Sequence, residues 1–260
     1  MKVAVIQITS VLDYKKNLEV IDSLIKEGKE KGAEAFFLPE VFYSMSDGNT
    51  STPHLIDGHN EHYRNIQELA VKNKVALLGG SAATLLNGKV VNRAFNFDDT
   101  GFDLGHYDKI HLFACDLPDK KLSEAKTYTP GTEYKLVQYK NIKVGLGICF
   151  DVRFSEQALH YRNQGAHILT YPAAFTVPTG KAHWHTLLKA RAIENQCFVI
   201  ASAQYGYHNE KIQTYGHSLI IDPWGEVLVD LKEGVGVGVA ELDLEKINYI
   251  RHSVLMNRDA

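Results

Sequence analysis

The chain has 260 residues, 45% of them hydrophobic and 23% charged, a balance that supports a sizeable core without a disulfide or structural metal. Its 28 Lys and Arg against 31 Asp and Glu leave a net charge of −3, which excludes the basic footprint expected of a nucleic-acid-binding domain. Cys115, Cys149 and Cys197 are widely spaced and form no CxxC pair, so neither a disulfide framework nor a zinc site is expected.

The chain opens on the short alternating run Val3–Ile8, a strand rather than a secretory signal. No stretch approaches the roughly 18 apolar residues of a membrane span. The expectation is a cytoplasmic protein, in which the Asn49-Thr50-Ser51 sequon carries no glycan. Asn17–Lys31 places Leu18, Ile21, Leu24 and Ile25 on one helical face, and Ala35–Leu38 is an apolar run stopped by Pro39 and ending at Glu40. A helix over His62–Lys74 precedes a buried strand over Val75–Gly80. Val90–Asp98 and Phe102–Tyr107 read as a hairpin turned at Asp98-Asp99-Thr100-Gly101. Val144–Ile148 reads as a strand, Ser155–Gln164 as a helix, His167–Tyr171 as a strand, Trp184–Asn195 as a helix and Phe198–Ala203 as a strand. The Asp222-Pro223-Trp224-Gly225 turn separates strands over Ser218–Ile221 and Val227–Val229. The glycines of Gly234–Val239 alternate as GxGxG, with no helix-period segment close behind, so a glycine-spaced strand is expected rather than a dinucleotide loop. Strand–helix alternation without linkers or repeats predicts one mixed α/β domain over residues 1–260.

Three residues stand at the C-terminal ends of strand-like runs, where sites gather in α/β sheets. Cys149, in Gly147-Ile148-Cys149-Phe150-Asp151, sits where a strand gives way to a helix whose N-terminal end would favour thiolate. The alternative is a small buried hydrophobe. Glu40 abuts an apolar run, which would desolvate it into the range of a general base, or it is a solvated strand end. Lys109 either donates to an oxyanion or is an ordinary surface lysine. Neither a GxSxG serine elbow nor a GxCxG glutaminase elbow is present.

Leu38-Pro39-Glu40, Tyr107-Asp108-Lys109-Ile110-His111-Leu112-Phe113 and Gly147–Phe154 resemble, in order and at similar separations, the three signature blocks of the nitrilase, or carbon–nitrogen hydrolase, superfamily. The resemblance implies an αββα sandwich of two packed mixed sheets flanked by helices, and a homodimer. It implies a Glu40-Lys109-Cys149 triad that cleaves an amide through a thioester, with the oxyanion held by Lys109 and the Phe150 backbone N–H. Glu124, in Ser123–Gly131, matches the family's second glutamate and would orient Lys109.

Tyr171–Gly180, Ala182-His183-Trp184, Ala190–Gln196 and Tyr215–Ser218 resemble the branch of amidases acting on deaminated amino-acid amides. His208–Lys211 is closer to deaminated glutathione amidase than to omega-amidase. That similarity places Arg153, Phe175 and Thr179 against the α-keto-acid end of the substrate. An ion pair of Arg153 with Asp151 is the alternative. Lys181 and His185 depart from the branch's proline and glutamate, and Phe150 stands where tyrosine is commoner. His183 and His185 point about 200° apart on a helix and cannot share one ion, so no metal and no cofactor is expected. Omega-amide hydrolysis, nitrile or carbamoyl-amine hydrolysis, and a non-enzymatic binding role are the competing functions. The intact Glu40-Lys109-Cys149 set weighs against the last.

Overall fold

The strands Lys2–Gln7, Ala35–Phe37 and Ala76–Leu78 are buried almost throughout, which leaves them no solvent face and requires cover on both sides. The computed structural model, which describes residues 1–48, 50–117 and 120–256, provides that cover with two packed sheets and five α-helices among the described residues. Asn49, of the sequon, lies outside the described residues. The first sheet runs in space Gly236–Glu241, Lys2–Gln7, Ala35–Phe37, Ala76–Leu78, Lys89–Phe97, Ser81–Leu86 and Ile56–Asp57, with Asp103–Asp108 also pairing with Lys89–Phe97. The second runs Lys135–Tyr139, Ile142–Leu146, Ile168–Thr170, Phe198–Ala201, Leu219–Ile221 and Val227–Asp230. Both are mixed, each with a parallel centre.

Alternation along the strands decides which residues meet. Val3, Val5, Phe37 and Leu78 join Val144, Leu146, Ile168 and Ile200 in one apolar cluster, so these faces form the sheet-on-sheet core. On the first sheet's outer face Ala4, Ile6, Phe36 and Leu77 meet α1 (Tyr14–Glu30) and α2 (Glu61–Asn73) through Ile21, Ile25, Ile66 and Leu69. The second sheet is covered by α3 (Ser155–Asn163) and α4 (Val177–Asn195), through Ala158, Tyr161, Trp184 and Leu188. This is the αββα sandwich.

Helix α1 starts where Asp13 accepts the Lys15 N–H, and α2 where Asn60 accepts the Tyr63 N–H. Helix α4 begins at Val177 rather than Trp184, because Pro178 is suited to a first turn that the sequence presents as loop-like. The glycine-spaced tail is a strand, pairing antiparallel with Lys2–Gln7. Contrary to expectation a helix does follow it: α5 (Leu244–Ser253) is capped by Asp243 and buries only Ile247 and Ile250, too few to set a period. Ser81–Leu86 and Lys135–Tyr139 escape the sequence reading because neither forms a strongly apolar run. Among the described residues no helix is long and apolar enough to cross a membrane.

Strand order explains why distant residues converge. Asp103–Asp108 is antiparallel to Lys89–Phe97, which is antiparallel to Ala76–Leu78, so Lys109 leaves the sheet at the same end as Glu40. The backbone there is pinned on both sides: Lys109 N–H donates to Asn92 O at 2.9 Å, and Gly131 N–H donates to Lys109 O at 2.9 Å. The second contact requires glycine, because a Cβ at position 131 would lie 2.2 Å from the Asp108 carbonyl oxygen. Gly131→Ala should therefore cost about 1–3 kcal/mol in a denaturant titration. Gly236→Ala, where a Cβ meets nothing within 4 Å, should stay within about 0.5 kcal/mol. Equal losses would show that the Gly131 approach relaxes freely.

Candidate active site

Lys109 is fully buried, which rules out the surface-lysine alternative. Its Nζ donates to Glu40 Oε1 at 2.8 Å and to both oxygens of Glu124, at 3.0 and 2.8 Å. Burial alone would push the ammonium down, but Glu124 and Glu40 together outweigh it and hold the pKa well above that of an ordinary lysine. The Glu124 carboxyl is pushed up by burial and by Glu40, against the pull of Lys109 and of the Phe113 N–H, which donates at 2.8 Å.

Glu40 is 2% exposed, at the end of the Ala35–Phe37 strand. Besides Lys109 its carboxylate accepts Asn92 Nδ2 at 2.9 Å on Oε1 and the Ala174 N–H at 2.8 Å on Oε2. Val41, immediately after it, has φ 45°, and Cys149 has φ 49°. A non-glycine residue in the left-handed region is strained, the β-branched Val41 more than Cys149, so both ends of the site carry backbone strain.

Cys149 follows the Ile142–Leu146 strand and starts a single 3₁₀ helix, Cys149–Arg153. Its N–H donates to Pro172 O at 2.8 Å, while the ladder of the 3₁₀ turn begins with the Asp151 N–H on Ile148 O at 3.0 Å. The Phe150 N–H lies between these two. The expected helix-end activation of a thiolate is not what the turn delivers. Burial, then the Glu40 charge, push the thiol well above its usual value, with Lys109 and the Ala174 N–H pulling the other way. The thiol shares the Ala174 amide with the Glu40 carboxylate.

A cavity of about 340 Å³ opens over this cluster. Glu40, Glu124, Cys149, Phe150, Arg153, Phe175 and Thr179 all line it, with Lys109 beneath the carboxylates. Arg153 is not paired with Asp151. That carboxylate is consumed by Tyr107 Oη at 2.8 Å, Ile148 N–H at 2.8 Å and His111, whose N–H lies at 3.0 Å and Nδ1 at 2.7 Å. The Arg153 guanidinium instead lies 5.6 and 5.8 Å from the Phe150 and Phe175 ring centres, with one nitrogen 3.1 Å from His183 Nδ1. Its Nε is buried with no hydrogen-bond partner among the described residues.

Sequence reasoning missed Asn92, the Ala174 N–H and Tyr128, whose phenol lines the cavity and is pushed up by burial and by Glu124 and Glu40. Asn92 offered a signal: it is a buried amide inside the apolar strand Val90–Asp98, directly before Arg93.

The carbon–nitrogen hydrolase family model matches residues 2–252. The chain is 40% identical to the nitrilase and fragile histidine triad fusion protein NitFhit of Caenorhabditis elegans, over 96% of this chain and 58% of that protein. It thus spans a little over half of that relative's length. It is 37% identical to the deaminated glutathione amidase of Synechocystis, over 96% of this chain and 94% of that one. The crystal structure of Saccharomyces cerevisiae Nit3, described as a member of branch 10 of the nitrilase superfamily, superposes with a TM-score of 0.90. It has 30% identity and covers 99% of this chain and 95% of that one.

The electrostatics of Cys149 give a signed expectation. Glu40→Gln removes a charge that raises the thiol and leaves Lys109 and Glu124 in place, so the thiolate absorbance of Cys149 should titrate at lower pH than in the native protein. Thiolate becomes more abundant at neutral pH while turnover falls. A titration unmoved or shifted upward would place Glu40 too far from the sulfur to act on it.

Proposed function

The chain belongs to the carbon–nitrogen hydrolase family, and we propose that it hydrolyses a linear amide with release of ammonia through a thioester on Cys149. The observation that carries the reading is the buried Cys149 thiol meeting the Glu40 carboxylate at the Ala174 N–H, with Lys109 fixed behind them. Glu40 accepts the thiol proton as Sγ attacks the amide carbon. The oxyanion forms against the Phe150 N–H and the Lys109 charge; Lys109 already spends three contacts on carboxylates, so one of the paired contacts to Glu124 yields as the oxyanion develops. Glu40 returns the proton to the leaving nitrogen and ammonia departs. A water, deprotonated by Glu40, then attacks the thioester, releasing the carboxylic acid and restoring the thiol. Glu124 holds Lys109 in place, and no metal or cofactor enters the sequence.

The proposed substrate is deaminated glutathione. The 37% identity to the Synechocystis relative supports this, as does the Arg153 fork, whose unpartnered Nε suits a carboxylate. The cavity volume suits a ligand larger than a five-carbon keto-amide. Omega-amidase substrates such as α-ketoglutaramate share the keto-acid end and are the nearest alternative. The same reading makes the enzyme a cytoplasmic homodimer with no nucleic-acid or membrane partner.

Ammonia release across α-keto amides, neutral aliphatic amides, nitriles and N-carbamoyl compounds tests the reaction class, with Cys149→Ala as the inactive control. Arg153→Leu tests the substrate end. Loss of one charged, forked contact costs about 1.5–3 kcal/mol, so KM for keto-acid amides should rise about ten- to a hundredfold, and far less for a neutral amide of equal length. Equal losses on both would remove Arg153 from carboxylate binding.

A further inference from the structure

His183 and His185 diverge on α4, the first toward Arg153 and the second away from it. The expectation of no metal considered only that pair. His185 finds partners on other elements: its Nε2 lies 3.2 Å from Asp230 Oδ2, while His217 Nδ1 lies 3.0 and 3.2 Å from the two oxygens of the same carboxylate. One potential ligand atom from each residue lies within 4.8 Å of the others. The three come from α4, the turn before the Leu219–Ile221 strand, and the end of the Val227–Asp230 edge strand.

The donors are held in place. His217 has φ 56°, its N–H donates to Lys232 O at 2.8 Å, its carbonyl accepts Trp184 Nε1 at 2.8 Å, and its ring stacks on Tyr215 at 4.4 Å. Asp230 Oδ1 accepts the Lys232 N–H at 2.8 Å. The side chains of His185, His217 and Asp230 are 34%, 19% and 22% exposed, which admits an ion and its remaining waters.

Distances decide the class of ion. Ligands at about 2.0–2.1 Å around a tetrahedral zinc lie about 3.3 Å apart, close to the carboxylate–imidazole separations seen here. Only the two imidazoles need to approach, through rotation of partly exposed rings whose centres are 4.9 Å apart. Two nitrogens and one carboxylate suit a borderline-soft dication and give too few oxygens for calcium or magnesium. We infer that His185, His217 and Asp230 form a binding site for a first-row transition-metal dication of the zinc class, separate from the catalytic cavity. Binding displaces the protons these imidazoles share with Asp230 and ties α4 to the edge of the second sheet.

Tag-free Cys149→Ala protein provides the test, because it lacks the catalytic thiol as a competing ligand. Co²⁺ should give a visible d–d absorption that saturates at one equivalent and is displaced by Zn²⁺, and Zn²⁺ should raise the melting temperature. His185→Gln keeps a donor for Asp230, and Asp230→Asn keeps the shape of the carboxylate. Each should weaken Co²⁺ binding by at least about a hundredfold with an unchanged circular-dichroism spectrum. A saturating signal that survives both substitutions, binding that appears only when Cys149 is present, or no saturable binding below millimolar ion would each overturn the site.

Discussion

A fully buried ammonium between two carboxylates is the constraint from which the rest of this site follows. Lys109 has no water to solvate it, so Glu40 and Glu124 must both stay within hydrogen-bond reach. Breaking such a buried set by removing one partner typically costs about 3–5 kcal/mol, because the remaining charge is left uncompensated. Asn92, the Ala174 N–H and the Phe113 N–H then satisfy the outward lone pairs of the two carboxylates. Gly131 and Asn92 fix the Lys109 backbone from either side. The charge set belongs to the first sheet and the Glu124–Lys126 turn, whereas Cys149 and Ala174 belong to the second sheet. The packing of one sheet on the other brings the Cys149 thiol and the Glu40 carboxylate together.

That dependence explains what the sequence makes legible. The ends of apolar runs mark Glu40 and Cys149, since a polar residue closing a buried strand is visible in one dimension. Lys109 by itself reads as a surface residue, because nothing in His106–His111 records that Glu40 and Glu124, 69 and 15 positions away, enclose its ammonium. Arg153 and Asp151 read as neighbours available for pairing. In the fold, Tyr107, His111 and Ile148 take the carboxylate first, and those contacts span up to 44 positions in the chain. The Ala174 contribution is a backbone N–H, which no residue type advertises. Long amphipathic helices such as α1 and α2 are readable from periodicity, while α5 buries only Ile247 and Ile250.

Strain marks the same boundary between fold and site. Val41 and Cys149 adopt left-handed conformations costing about 1–3 kcal/mol each; the first directly follows Glu40 and the second carries the buried thiol. The surrounding contacts over-determine them: Val41 N–H donates to Ser81 Oγ at 3.0 Å and Cys149 N–H to Pro172 O at 2.8 Å. At Cys149 the turn lifts the sulfur off the end of its strand and frees the Phe150 N–H from the 3₁₀ ladder. A relaxed extended residue there would continue the strand and point the side chain into the sheet interface.

Helix α4 links the chemistry to the periphery. Its first turns place Thr179 on the cavity and His183 against Arg153, its middle packs Trp184 into the core, and His185 faces Asp230 and His217. The Trp184 indole donates to the His217 carbonyl, so the histidine turn is fixed by the same residue that anchors the helix. Helix packing is stiff, because close-packed interiors transmit displacement rather than absorb it. Thr179, His183 and His185 therefore hold fixed positions relative to one another, the first on the cavity, the second on the guanidinium that faces it, and the third on the Asp230 edge of the second sheet.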